Sequence, residues 1–78
     1  MGIADPEAIE KEAHRLISRR DELLRSLQLL KRKYEKGEVS EEEYQRKRRE
    51  IERELVEIMD RLVQLQYFVE PSKLYGGG

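Results

Sequence analysis

Residues 34–44 are Tyr34-Glu35-Lys36-Gly37-Glu38-Val39-Ser40-Glu41-Glu42-Glu43-Tyr44. This stretch contains the residue types that end one helix and begin another. Gly37 can adopt the left-handed backbone conformation that closes a helix at little steric cost. Ser40 and Glu43 have the spacing of a capping box, in which each side chain accepts a hydrogen bond from the backbone N–H of the other residue. Val39 and Tyr44 occupy the two hydrophobic staple positions around this cap. The stretch therefore predicts a tight loop between two helices.

The segments on both sides of the loop have the apolar periodicity of helices. Asp5 and Pro6 are typical of an N-cap and a first helical position, so the first helix is expected from about Pro6 to Lys36. The second is expected from about Glu41 to Phe68. In both, core positions recur at alternating steps of three and four residues, and we call these positions the seam. The seam contains Ala13, Leu16, Arg20, Leu23, Leu27, Leu30, Tyr34, Tyr44, Arg48, Ile51, Leu55, Ile58, Leu62, Leu65 and Val69.

These patterns predict an all-α fold, an antiparallel two-helix hairpin. Residues 1–70 are expected to form a single domain, because Pro71 ends the second helix, and residues 71–78 to form a flexible C-terminal tail. Counting outward from the loop, Tyr34 should face Tyr44, and Leu23 should lie near Leu55. Arg20 and Arg48 fall within the apolar seam. Their heads are expected either to reach outward to water or to specify the register of the helices.

The apolar surface of the predicted hairpin is wider than a two-helix seam requires, because further apolar residues directly follow seam positions. We therefore expect self-association, most simply as a dimeric four-helix bundle, or docking on another protein. The residues expected at this face are Leu16, Leu23, Leu24, Leu27, Leu55, Val56, Ile58, Met59, Leu62 and Val63. The alternative is a monomeric hairpin whose tail folds back over the face. A designed helical bundle is a third interpretation.

Composition agrees with a small helical protein whose surface charges pair with one another. Of the 78 residues 42% are charged, with 16 basic and 17 acidic residues and a formal net charge of −1. Such a balance favours ion pairing on helix surfaces over disorder. The chain has no cysteine, which excludes disulfides and thiolate chemistry. It has no apolar run long enough to span a membrane, so a cytoplasmic protein is expected, with a composition that would suit a thermophile.

No residue pattern indicates catalysis. His14 is the only histidine, there is no glycine-rich phosphate loop, and inward-facing Glu-x-x-His motifs of a di-iron bundle are missing. We therefore expect a non-enzymatic protein with no catalytic residues, no metal, no cofactor and no small-molecule substrate.

Basic residues near the loop support an alternative function. They would form a positive tip that could contact nucleic acid, although several glutamates occupy the same end. These residues are Lys31, Arg32, Lys33, Lys36, Arg46, Lys47 and Arg49. The chain would then be a small accessory subunit of a nucleic-acid machine, for example one associated with a DNA polymerase. It would act through this tip or through an aromatic tail that docks on a partner by Tyr67, Phe68, Leu74 and Tyr75.

Residues 30–48 resemble the short helical-hairpin family called SHOCT. The shared pattern is an apolar helix end, then Gly37, a polar and an aliphatic residue, Ser40, a run of acids, the aromatic Tyr44 and basic residues. The resemblance implies a helical hairpin of the kind found at the C-termini of larger proteins. It also implies a role in oligomerisation.

Overall fold

The computed structural model describes residues 5–67, which form two helices packed against each other. Helix α1 spans Pro6–Glu35 and helix α2 spans Glu41–Gln66, with no strand in this described part of the chain. The predicted all-α hairpin is therefore confirmed. Within the described residues, helix α2 extends to Gln66, and Tyr67 is its C-cap. The predicted helix end at Phe68, the tail residues Leu74 and Tyr75 and the expected boundary after residue 70 lie outside the described residues.

The start of α1 follows directly from its first two residues. The Asp5 side chain accepts a hydrogen bond from the Glu7 backbone N–H at 3.1 Å. Pro6 takes the first helical position, where its missing N–H costs no hydrogen bond and its fixed φ suits the helix. These interactions satisfy a donor that the first turn of a helix otherwise leaves open.

The loop between the helices is closed by a Schellman motif. Gly37 has a φ of +78°, in the left-handed region that favours glycine. The Glu38 N–H donates to the Lys33 carbonyl at 2.8 Å, and the Gly37 N–H donates to the Tyr34 carbonyl at 3.0 Å. These two bonds satisfy carbonyl groups that the end of α1 would otherwise leave open. The predicted role of Gly37 is confirmed.

The start of α2 contains only half of the predicted capping box. Ser40 is the N-cap, and its Oγ accepts a hydrogen bond from the Glu43 N–H at 3.1 Å. The Glu43 carboxylate does not return the bond to the Ser40 N–H within the described residues. It lies 3.1 Å from Lys47 Nζ, one turn further along the helix. An ion pair with a cationic side chain thus replaces a hydrogen bond to a neutral amide.

The core lies along the predicted seam. Leu16, Leu23 and Ile58 are its most buried residues, each 4–5% exposed. Other seam residues pack against them and remain partly buried: Ile51, Leu55, Leu62 and Leu65. Burial of a side chain of this size contributes about 1.5–3 kcal/mol. Association of the two helices therefore depends on a short row of aliphatic contacts.

The two ends of the seam are also occupied by packed side chains. Next to the loop, the rings of Tyr34 and Tyr44 stack with centroids 4.3 Å apart and an interplanar angle of 8°, as their predicted pairing requires. Towards the opposite end, which we call the open end, Ile9 is buried. Ile9 lies four residues before Ala13 and continues the seam by one step, so the periodicity could have identified it. It was not among the predicted core residues.

The two seam arginines direct their charged groups away from the core. The Arg20 guanidinium lies 3.3 Å from the Asp21 carboxylate, and the Arg48 guanidinium lies 2.9 Å from the Glu52 carboxylate. The Glu52 hydrogen bond raises the pKa of Arg48. Because both side chains remain substantially exposed, their aliphatic stems can cover the seam while the charges stay hydrated.

Candidate interaction surface

The hairpin has two sides that differ in chemistry. In an antiparallel helix pair, residues that directly precede seam positions on both helices share one side, and residues that directly follow them share the other. Arg19 precedes the seam residue Arg20, and Glu54 precedes Leu55. The Arg19 and Glu54 side chains meet across the helices, which identifies their common side. We call this side the ion-paired flank and the opposite side the apolar flank.

The ion-paired flank carries two small networks of charged side chains. In the first, the Arg19 guanidinium donates to both Glu54 carboxylate oxygens, at 2.7 and 3.1 Å, and also to Glu22 at 3.1 Å. In the second, the Glu12 carboxylate lies 2.7 Å from Arg15 and 3.5 Å from Arg61 of the other helix. The residues of both networks directly precede seam positions.

These contacts shift the pKa of four of the charged groups, Glu12, Arg15, Arg19 and Glu54. The hydrogen bond from Arg19 lowers the pKa of the Glu54 carboxyl and raises the pKa of Arg19 itself. The hydrogen bond from Arg15 likewise lowers the pKa of Glu12 and raises that of Arg15. All of these groups face solvent, where water and salt screen much of the attraction. The networks therefore influence register and orientation more than total stability.

The apolar flank differs from the ion-paired flank in its side chains. Its centre consists of the apolar residues that directly follow seam positions: Ile17, Leu24, Val56, Met59 and Val63. Ile17 is half-buried, whereas the side chains of the other four residues lie 43–68% exposed. No ion pair connects α1 to α2 on this flank within residues 5–67, because Asp21 and Glu52 each pair with an arginine of their own helix. The apolar flank is therefore an aliphatic surface without a covering element among the described residues.

The structure divides the residues that the sequence assigned to an interaction face. Leu16, Leu23 and Ile58 lie in the core of the hairpin, where the opposite helix already covers them. A second group, also on the seam, is half-buried: Leu27, Leu55 and Leu62. A third group is exposed and lies on the apolar flank: Leu24, Val56, Met59 and Val63. Seam position thus separates the residues that build the hairpin from the residues that the hairpin leaves exposed.

Leu29 is an exposed apolar residue that the sequence reasoning missed. It is 49% exposed, as much as Met59, but it directly precedes the seam residue Leu30 and so lies on the ion-paired flank. There it borders a shallow depression near the loop, together with Val39 and Lys47. A single exposed leucine is common on protein surfaces and does not by itself indicate a binding site.

The basic residues predicted to form a tip are all exposed near the loop. Lys47 pairs with Glu43, and Arg49 Nε donates to the Gln45 carbonyl at 3.4 Å. The other five form no ion pair within the described residues: Lys31, Arg32, Lys33, Lys36 and Arg46. Residues 25–49 contain nine basic and five acidic side chains, whereas the rest of the described chain contains six basic and eleven acidic ones. The hairpin is therefore positive towards the loop and negative towards the open end.

The remaining features that the sequence raised are His14, metal binding, membrane spanning and the aromatic tail. His14 is exposed on α1. Within residues 5–67 there is no group of three or more histidine, cysteine or acidic side chains that could hold a metal ion. Neither α1 nor α2 combines the length and the apolar character that crossing a bilayer would require. Tyr67, the one residue of the proposed tail-docking group that the structure describes, is 84% exposed.

Comparison with known proteins gives one match. A family model described as SHOCT, short C-terminal domain, matches residues 25–52, which are 28 of the 78 residues. No curated protein and no solved structure matches the chain. The matched segment contains the loop, the Tyr34–Tyr44 stack and the basic tip, whereas the five central residues of the apolar flank lie outside it. The resemblance seen in the sequence is confirmed: the loop and the adjoining turns of both helices are similar to the SHOCT domain.

Proposed function

We propose that this chain is a non-enzymatic cytoplasmic assembly module that associates with itself through the apolar flank. The observation that carries the proposal is the exposure of Leu24, Val56, Met59 and Val63 on one side of the hairpin. Covering this side with the same side of a second hairpin would form a dimeric four-helix bundle. The similarity of residues 25–52 to a short helical domain supports an interaction role.

The physical reason for association is the apolar area that the hairpin leaves in water. Side chains that are about half exposed each gain on the order of 1 kcal/mol when they become fully buried. In a two-fold dimer each of these residues is buried on both copies, so the gain in free energy is doubled. The ion-paired flank offers no comparable gain, because its exposed arginines and carboxylates would lose hydration on burial. Association is therefore expected on the apolar flank alone.

Sedimentation equilibrium over protein concentrations from about 1 μM to about 1 mM tests the proposal. The wild-type chain should shift from monomer to dimer within this range. The double variant Val56→Glu/Met59→Glu should remain a monomer, because it places two carboxylates in the contact. Leu29→Glu is the matched control, since Leu29 is as exposed as Met59 but lies on the opposite flank. This control should dimerise like the wild type.

A strictly monomeric wild-type chain at the highest concentration would refute self-association. Docking of a different protein on the apolar flank would then be the remaining interpretation of this surface. Equal dimerisation of Val56→Glu/Met59→Glu and the wild type would show that the contact lies elsewhere on the hairpin.

A second candidate function is contact with nucleic acid through the basic tip. The observation that favours it is the set of exposed cationic side chains near the loop that form no ion pair within the described residues. Phosphate contacts of this kind weaken steeply as salt rises. Binding of fluorescently labelled DNA and RNA should therefore fall with salt and fall further in Arg32→Ala/Lys33→Ala, whereas Arg53→Ala on the middle of α2 serves as the control. Absence of binding at low salt would remove this candidate.

A further inference from the structure

We infer that the partner on the apolar flank is a second copy in the antiparallel orientation, with the loop of each hairpin over the open end of the other. This inference rests on the proposed self-association and adds the direction in which the copies meet. Three features support it: the position of the flank along the helices, the distribution of charge, and the charged residues next to the flank.

The apolar contacts alone do not select an orientation. Ile17 and Leu24 lie symmetrically about the midpoint of α1, which spans Pro6–Glu35. The apolar flank therefore lies near the middle of α1. A second copy can cover such a central surface whether it runs in the same direction or in the opposite one. The choice must come from the polar residues beyond the flank.

The distribution of charge favours the antiparallel orientation. Residues 25–49 carry a net charge of +4, and the other described residues, 5–24 and 50–67, carry −5. A parallel dimer would place the two positive loop ends together and the two negative open ends together. An antiparallel dimer places each positive end beside a negative one. Opposite charges at an interface fix orientation and suppress wrong arrangements, even where they add little affinity.

Three charged residues belong to the apolar flank but lie beyond its apolar centre, towards one end of the helices or the other. Lys31 directly follows the seam residue Leu30, and Arg49 directly follows the seam arginine, so both lie on the loop side of the flank. Glu10 directly follows the buried residue Ile9 and lies towards the open end. None of Lys31, Arg49 and Glu10 forms an ion pair in the described part of the chain. In an antiparallel two-fold dimer, α1 of each copy lies over α1 of the other, which brings Lys31 of each copy towards Glu10 of the other, twice by symmetry. Arg49, on α2, then lies over the negative open end of the other copy.

One residue opposes this distribution. Glu35 directly follows Tyr34 and adds a negative charge to the loop end of the flank. It reduces the positive excess there without reversing it, because Lys31 and Arg49 lie on the same side and closer to the apolar residues. The two remaining acids on the flank, Asp21 and Glu52, are already paired with arginines of their own helices.

Charge reversal tests the contacts. Lys31→Glu/Arg49→Glu should raise the dimer dissociation constant on the order of tenfold at low salt, because attraction at two symmetric sites becomes repulsion. Adding Glu10→Lys to this double variant should restore much of the affinity. In a parallel dimer these positions do not meet, so the third substitution would give no rescue. Arg32→Glu/Lys33→Glu is the control. It changes the net charge by the same amount as Lys31→Glu/Arg49→Glu, but at positions that do not directly follow a seam residue and so lie off the apolar flank.

A distance measurement tests the orientation independently of the charges. The chain has no cysteine, so Glu38→Cys provides a single attachment site for a spin label in the loop. A helix of 30 residues is about 45 Å long, and the two loops of an antiparallel dimer should be separated by a distance of this order. In a parallel dimer the labels would lie within about 20 Å, roughly two helix diameters.

The outcomes separate this inference from the proposal on which it depends. A long label distance together with rescue by Glu10→Lys supports the antiparallel dimer. A dimer with a short label distance overturns the orientation and leaves self-association intact. A long distance without rescue overturns the assigned contact between Glu10 of one copy and Lys31 of the other. Sedimentation that shows no dimer overturns self-association and the orientation together.

Discussion

Replacing Gly37 by alanine should destabilise the hairpin by a small amount that can be calculated from the loop. The φ of +78° at this position costs an ordinary residue about 1–2 kcal/mol. An alanine Cβ would meet no atom within 4 Å, so no steric collision adds to this cost. Alanine also restricts the unfolded chain, which returns about 0.4–1 kcal/mol. With the middle of each range, the expected net loss in the free energy of unfolding is about 0.8 kcal/mol.

Urea denaturation followed by far-UV circular dichroism measures this loss. Wild type and Gly37→Ala must be compared at one protein concentration, because the proposed self-association would make the apparent stability depend on concentration. Gly37→Asn is the matched control, since asparagine tolerates the left-handed conformation better than alanine and should lose less. An alanine variant as stable as the wild type would refute the requirement for this conformation. A loss above about 3 kcal/mol would instead indicate that the alanine side chain collides with neighbouring atoms. Such a collision would contradict the open space around Gly37.

Further predictions concern the core, the helix cap and the ion pairs. Ile58→Ala should cost about 2–4 kcal/mol in the same denaturation assay, because the side chain is only 5% exposed, whereas Leu29→Ala should cost much less. Ser40→Ala should cost about 1 kcal/mol, because it removes the acceptor for an N–H at the start of α2. Arg19 lowers the pKa of Glu54, so their pairing contributes at neutral pH and is lost as the pH falls through that lowered pKa, below the usual 4.5. Arg19→Gln should therefore flatten the decline in stability between about pH 5 and pH 3, and an unchanged profile would contradict this assignment.

The loop and the seam could be predicted because their causes are local. Gly37 and Ser40 determine hydrogen bonds of backbone groups that lie within five residues of them along the chain. The periodicity of three and four residues determines which side of each helix is buried. The stacking of Tyr34 on Tyr44 followed from the short distance of both residues from the loop.

Other features could not be predicted because several partners compete for the same group. The Glu43 carboxylate could accept from the Ser40 N–H or pair with Lys47, and the sequence alone favoured the cap. Arg19 could pair with acids of its own helix or with Glu54, which lies 35 residues away and becomes a neighbour only once the register is set. The sequence therefore predicted a broad apolar face, whereas the separation into an ion-paired flank and an apolar flank required the structure.

The closeness of Tyr34 and Tyr44 along the chain also has a kinetic consequence. Their stacking closes a loop of only ten residues, whereas the Arg19–Glu54 contact closes one of 35. Closing a longer loop costs more chain entropy before any contact compensates for it. The helices should therefore meet first beside the loop and then associate progressively towards Glu12 and Arg61. The residues that end α1 and begin α2 would thus organise the transition state for folding, while contacts at the open end form after it.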